Sequence, residues 1–135
     1  MNREILFKGK EVQNGNWIYG DLIHRDYGTA IGVVDSDGLH EVHVDEETIC
    51  QYTGLVDKNR KKIWENDIIE CEDDKHHFRI QTKIEWDVSC AGFIFQDTET
   101  SVVGLDAITA GGIHLKSKVI GNIFDNPELV RGEAK

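Results

Sequence analysis

The chain has 135 residues, with 25 acidic against 15 basic side chains and a formal net charge of -10. That length describes one domain able to bury about two-thirds of its unfolded surface, and the acidic excess argues against non-specific attraction to nucleic-acid phosphate, which depends on many Lys and Arg contacts. Cys50, Cys71 and Cys90 form no CxxC pair, which excludes a disulfide framework or a zinc ribbon and leaves thiols suited to a reducing cytoplasm.

The opening MNREILFKGK has no long apolar segment, and no stretch of the chain approaches a membrane-spanning run, so neither a signal peptide nor a transmembrane helix is expected. Glu4 to Phe7 is a short strand, and Asn14-Gly15 marks a tight two-residue turn before a second strand through Trp17, Ile18 and Tyr19. By period-two parity Trp17 and Tyr19 share a face and Ile18 lies opposite, so the two aromatics together form either core or a binding face, with core favoured. Further strands follow at Leu22-Ile23-His24, at Ala30 to Val34 and at Leu39 to Val44, the last two separated by the turn Asp35-Ser36-Asp37-Gly38. His40, Val42 and Val44 share one face and His43 the other, so the two histidines do not form a chelate. Asp45 to Thr48 reads as a single helical turn capped by Asp45.

Gln51 to Ile69, QYTGLVDKNRKKIWENDII, organises the rest of the chain. Its apolar residues fall into groups separated by Asp57 to Lys62, a polar turn read as a solvated connector between two strands, and Asn66-Asp67 redirects the chain into a third. After a polar loop containing His76 and His77, Phe78, Ile80, Thr82, Ile84 and Trp86 alternate with Arg79, Gln81, Lys83 and Glu85, as on a half-buried antiparallel strand. Trp86 is expected in the core, where Trp86→Ala would cost about 3–5 kcal/mol. Ser89 to Gly92 makes a turn into Phe93-Ile94-Phe95, and Val103, Leu105 and Ile108 before Gly111-Gly112 have helical spacing suited to a lid over an open barrel end. A closing strand through Val119 and Ile123 ends at Asn126-Pro127, which suits a helical turn with Asn126 capping and Pro127 at its first position.

These elements give eight to ten strands, mostly antiparallel. The expected fold is all-β, with an antiparallel, partly closed SH3-like barrel in the C-terminal half, N-terminal β-hairpins packed beside it and at most one or two short helical turns. Residues 1–130 form a single domain in this reading, with 1–50 as the hairpins, 51–126 as the barrel-like part and 131–135 as a tail.

The central stretch, with the opening REILFKGK, the segment GNWIYGDLI and the closing VIGNIFDNPEL, closely resembles the YopX family of phage and prophage proteins, from Arg3 to Leu129 and in the right order. This chain departs from the family pattern at Cys50, Arg60 and Asn66, where the family usually has glycine. Asn66 tolerates positive φ, while Arg60 suggests that the left-handed position has moved to Asn59 or that the turn type differs. The resemblance implies a fold and a phage setting and brings no activity with it; with neither a signal peptide nor a transmembrane helix expected, the protein is expected to stay in the cytoplasm of the bacterial host.

Catalytic constellations are absent from the sequence. No GxSxG, P-loop, GxGxxG or HExxH occurs, Cys90 lies in a turn with no basic neighbour to lower its pKa, and the histidines lack chelating spacing. No catalytic residue, metal or cofactor is therefore assigned. The binding candidates are the aromatics Trp17, Tyr19, Tyr52 and Trp64 and the cations Lys58, Arg60, Lys61 and Lys62 of the central turn. They point to a non-enzymatic module that binds a host or phage protein, with homo-oligomerisation open and no membrane partner. The alternatives are a nucleic-acid accessory protein and, less favoured, a small hydrolase or transferase using Cys90 or a carboxylate pair.

Overall fold

The computed structural model describes residues 4–73, 78–89, 91–96, 102–104 and 117–130. Eleven strands, one 3-10 turn and one four-residue helix occur among them. They divide into two compact units, Met1–Tyr52 and Thr53–Lys135.

In the first unit, β1 (Phe7–Lys10), β2 (Trp17–Arg25), β3 (Gly28–Asp35), β4 (Gly38–Val44) and the start of β5 (Cys50–Val56) form an antiparallel sheet in the order β4-β3-β2-β1-β5. β2 is one nine-residue strand where the sequence suggested two pieces. It stays continuous because it changes neighbour at its middle, Gly20 lying opposite Phe7 of β1 and Asp21 opposite Gly32 of β3. The Asn14-Gly15 turn is longer than the two residues expected. Glu11 N donates to Asn16 O at 2.8 Å and Gly15 N to Glu11 O at 2.8 Å, enclosing a four-residue loop with Gly15 at φ +74. Two-residue turns occur instead at Asp26-Tyr27, which lacks an Asn-Gly or Asp-Gly signature, and at Ser36-Asp37, as the sequence indicated.

One face of this sheet buries Ile31 and Val44. Gly9 allows β1 to lie close to Val44, since a Cβ there would stand 3.0 Å from Val44 Cγ2. Val12 N donates to His43 O at 3.1 Å and Asp45 N to Lys10 O at 2.9 Å, so the ends of β1 and β4 meet at the single bridge Glu11–Val44. The expected parity of β4 holds: Val44 is buried, whereas His43 is exposed and meets the Tyr27 ring edge-on at 5.1 Å. On His43's face, Arg25 of β2 crosses β3 to Glu41 of β4, a path left open by Ala30 and Gly32. That hydrogen bond holds the Glu41 carboxyl below its ordinary pKa. The turn Glu46–Thr48 forms as read, with the Asp45 side chain accepting from Glu47 N at 3.0 Å.

The second unit contains the rest of β5, then β6 (Lys62–Trp64), β7 (Asp67–Asp73), β8 (Phe78–Asp87), β9 (Gly92–Gln96), β10 (Val102–Gly104), β11 (Ser117–Asn122) and α1 (Pro127–Val130). Its sheet runs β10-β9-β8-β7-β11, all antiparallel. Ile63, Ile69 and Ile84 form the core, with Leu55, Phe93 and Val119 packed against them. Thr82 and Ile84 are buried on one face of β8 as the alternation required.

Trp86 corrects the expectation. It is 46% exposed because the β7–β8 pairing ends at Ile68–Lys83, leaving Trp86 beyond the end of β7 and flanked by Phe93 of β9, ring to ring at 5.1 Å. Trp86→Ala should therefore cost about 1–2 kcal/mol in urea unfolding, an edge-to-face pair plus part of a ring's burial. A loss of the size expected for a core tryptophan would contradict this placement.

The antiparallel all-β class and the scarcity of helix agree with the sequence reading. The barrel expected in the C-terminal half is not shown: among the described residues the β10-β9-β8-β7-β11 ladder does not close on itself. Val103, taken as part of a helix, lies in strand β10 opposite Phe95. Its supposed partners Leu105, Ile108, Gly111 and Gly112 lie outside the described residues, as do His76 and His77. The terminal turn forms with Pro127 at the first helical position and Asn126 O accepting from Leu129 N at 3.1 Å, but the Asn126 side chain accepts from Asn122 N at 3.2 Å, on the strand before it, in place of the expected cap.

Candidate functional site

The turn between β5 and β6 is built on Asp57, whose side chain is 2% exposed despite its place in a run of charged residues. Its Oδ1 accepts from Asn59 N at 2.8 Å and Lys61 N at 2.9 Å, folding the turn around the carboxylate. Its Oδ2 accepts from Val119 N at 2.9 Å, and Lys58 N donates to Ser117 O at 2.9 Å, so the turn is fastened to β11 at two points. A backbone pair completes it, Asp57 N to Lys61 O at 2.8 Å and Arg60 N to Asp57 O at 3.0 Å.

Arg60 itself occupies the left-handed region at φ +64, so the special position has not moved to Asn59. A side chain there costs about 1–2 kcal/mol relative to ordinary backbone. Asn66, at φ +69, does replace glycine as its side chain allows. It adjoins a second buried aspartate: Asp67 Oδ2 accepts from Trp64 N at 2.8 Å, and Asn66 N donates to Ile84 O at 2.7 Å. The two aspartates thus define the turns on either side of β6.

With Asp57 turned inward, the only charges that the tip of the first turn presents are positive. Lys58, Arg60 and Lys61 are exposed and Lys62 is half-buried at the start of β6. Among the described residues no carboxylate pairs with Lys58, Arg60 or Lys61. These four candidates therefore lie together on one anchored loop.

The aromatic candidates separate. Tyr52 and Trp64 are 8% and 6% exposed and serve as core. Trp17 and Tyr19 do share a face, but that face is not core: Tyr19 is 50% exposed, and Trp17 lies beneath Lys8 Nζ at 4.3 Å and Lys10 Nζ at 5.3 Å from its centroid. The register explains the stacking, since Lys10 is opposite Trp17 and Lys8 opposite Tyr19.

An open cleft of about 590 Å³ in the first unit is lined by Lys10, Glu11, Tyr27, His43, Asp45 and Glu46 among others. Its Glu46 accepts from Thr29 Oγ1 at 3.0 Å. The lining holds acids, a base and an aromatic ring but no serine or cysteine nucleophile. No group of three His, Cys, Asp or Glu side chains among the described residues is placed to hold a metal ion. Cys50 and Cys71 are buried and in no disulfide, while Cys90 lies outside the described residues. No helix among the described residues is long and apolar enough to cross a membrane.

Sequence reasoning treated Asp57 as one polar turn residue among several and missed it as the anchor. Its position at the head of the turn, two residues before Asn59, was compatible with an Asx-type bond, but nothing local announced the bond to Val119, 62 residues away.

These features define an all-β protein with a buried carboxylate fastening a basic turn. Residues 6–131 match the model of the family described as YopX protein, and the chain belongs to the YopX family. No curated protein gives a significant match. Among solved structures, the crystal structure of protein EF1440 from Enterococcus faecalis is similar in fold, with a TM-score of 0.56 at 19% identity over 96% of this chain and 99% of that one.

Proposed function

We propose that the protein is a non-enzymatic interaction module, encoded by a phage or prophage and acting in the bacterial cytoplasm, with the Asp57–Lys62 loop as its contact for an acidic surface on a protein partner. The observation that carries this reading is the set of cations Lys58, Arg60 and Lys61, exposed and without a carboxylate partner among the described residues, on a loop whose backbone is already fixed by Asp57. Fixing the backbone in advance lowers the entropy lost on binding, and an Arg kept at positive φ is a local cost that a contact role accounts for. The same cations support a second reading, a nucleic-acid accessory protein, against which the net charge of -10 weighs.

The test replaces Lys58, Arg60, Lys61 and Lys62 with Gln while leaving Asp57 intact. Stability should change by no more than about 0.5 kcal/mol per site, and capture of a specific protein from induced host cells should be lost. Full capture by the folded variant would overturn the contact role. Salt-sensitive binding of single- or double-stranded nucleic acid by the parent chain, lost in the variant, would favour the second reading.

A further inference from the structure

The cleft of the first unit brings together groups that its own fold leaves unused. Its volume, about 590 Å³, lies within the range of sites that take a small ligand or a side chain. Tyr27, at the tip of the β2–β3 turn, is 60% exposed, and its ring stands at 82° to that of His43. Glu46 is held in place by the buried Thr29, whose Oγ1 donates to Glu46 Oε1 at 3.0 Å. Gly28 keeps the space between them open. A Cβ there would meet His43 Nε2 at 3.3 Å and Glu46 Oε1 at 3.6 Å, so an imidazole and a positioned carboxylate converge where any other residue would intrude.

The charge of this cleft is unbalanced. Lys10 is the only lysine or arginine among its described lining residues, and Lys10 Nζ lies over the ring of Trp17, which does not line the cleft, at 5.3 Å. Arg25, which interacts electrostatically with Tyr27, donates from two nitrogens to the Glu41 carboxylate. Both nearby cations are thus engaged elsewhere. Among the described residues Glu11 and Glu47 have no ion-pair partner, the Glu46 carboxylate has only the Thr29 hydroxyl, and the ring nitrogens of His43 have no hydrogen bond.

We infer that this cleft is a receptor site for an arginine side chain of a partner protein. A guanidinium is planar, always charged, and carries five N–H donors and no acceptor. It can stack on an exposed aromatic ring while its edge donates to a carboxylate oxygen and an imidazole nitrogen, which is the set that Tyr27, Glu46 and His43 provide. An ammonium is a compact charge with three donors and gains less from a flat ring. Recognition of a quaternary ammonium uses a cage of several aromatics, whereas Tyr27 is joined here only by an imidazole. Free arginine fits less well than a peptide arginine, because its α-carboxylate would meet Glu11 and Glu47 while a peptide backbone carries no charge. The inference does not rest on the contact assigned to the Asp57–Lys62 loop, which takes the opposite charge.

Titration of the full chain with N-acetylarginine amide at low salt, followed by NMR, tests it. Saturable shifts are expected at Tyr27, Gly28, His43 and Glu46, with a Kd of about 1–10 mM, as suits one exposed ionic and stacking contact. N-acetyllysine amide and free arginine should each bind about threefold more weakly or worse. Glu46→Gln keeps an oxygen for Thr29 and removes the charge, and Tyr27→Ala removes the ring from an exposed turn. Both should retain the parent's circular dichroism and lose about fivefold or more in affinity, whereas Tyr27→Phe should bind like the parent. The loop variant lacking Lys58, Arg60, Lys61 and Lys62 should also bind like the parent, which separates the cleft from the loop contact. Non-saturating shifts spread over the acidic surface, equal affinity for the lysine probe or for free arginine, or parent-like binding by Glu46→Gln or by a folded Tyr27→Ala would overturn the inference.

Discussion

Asp57→Ala is expected to destabilise the protein by about 3–5 kcal/mol in chemical denaturation, since three amide donors lose a charged acceptor at about 1–2 kcal/mol each. Those donors are Asn59 N, Lys61 N and Val119 N, all at 2.8–2.9 Å from a carboxylate that is 2% exposed. Asp57→Asn offers a graded comparison. Its amide oxygen can still serve Asn59 and Lys61, but its NH2 then opposes Val119 N–H, so a loss of about 1–3 kcal/mol is expected. If Asp57→Ala costs under about 1 kcal/mol, the carboxylate does not organise the turn, and the preformed loop on which the proposed contact depends loses its basis. Removing the neighbouring cations should be nearly neutral, so the anchor and the contact residues of one six-residue turn can be told apart by stability alone.

Gly20→Ala should be comparably damaging, by about 3 kcal/mol or more, through steric collision with backbone rather than loss of a bond. A Cβ at Gly20 would stand 2.0 Å from Gly32 O and 3.0 Å from Gly32 C, atoms that cannot swing aside as a side chain can. β2 and β3 would have to separate where β2 changes neighbour. Thermal melting reads the effect directly, and a variant with the parent's melting temperature would show that the two strands do not approach so closely. Gly15→Ala is a useful contrast: nothing lies within 4 Å of its Cβ position, so its cost should reflect only the +74 φ.

What the sequence reveals is what neighbours along the chain decide. The alternation at Thr82 and Ile84, the Asp45 cap, the Asn126-Pro127 stop and the positive φ at Asn66 all depend on residues a few positions apart, and the structure has them as read. What it conceals depends on other strands. Trp86 has the right parity for burial yet extends past the end of β7, and strand length in a neighbour is not written beside Trp86. The Gly20-Asp21 pair looks like a break but is a close approach to β3. At the candidate site, the basic composition of the turn was legible and its solvated tip was anticipated, whereas the aspartate that fixes it was hidden by a partner distant in the chain. Tyr52 and Trp64 were singled out as large aromatics near that turn, and only the packed structure shows that both are enclosed.

The bond from Val119 N to Asp57 also orders events in time. Closing a loop of 62 residues is an entropic cost that must be met before the contact rewards it. On a ribosome, Asp57 emerges long before β11 has been made, so the turn must wait with a carboxylate that lacks one of its donors. Its final shape is set when the last strand docks. Amide exchange at Val119 should accordingly report the docking of the C-terminal strand, and a truncation before Ser117 should leave the basic turn without its two fastenings to β11, Ser117 O and Val119 N.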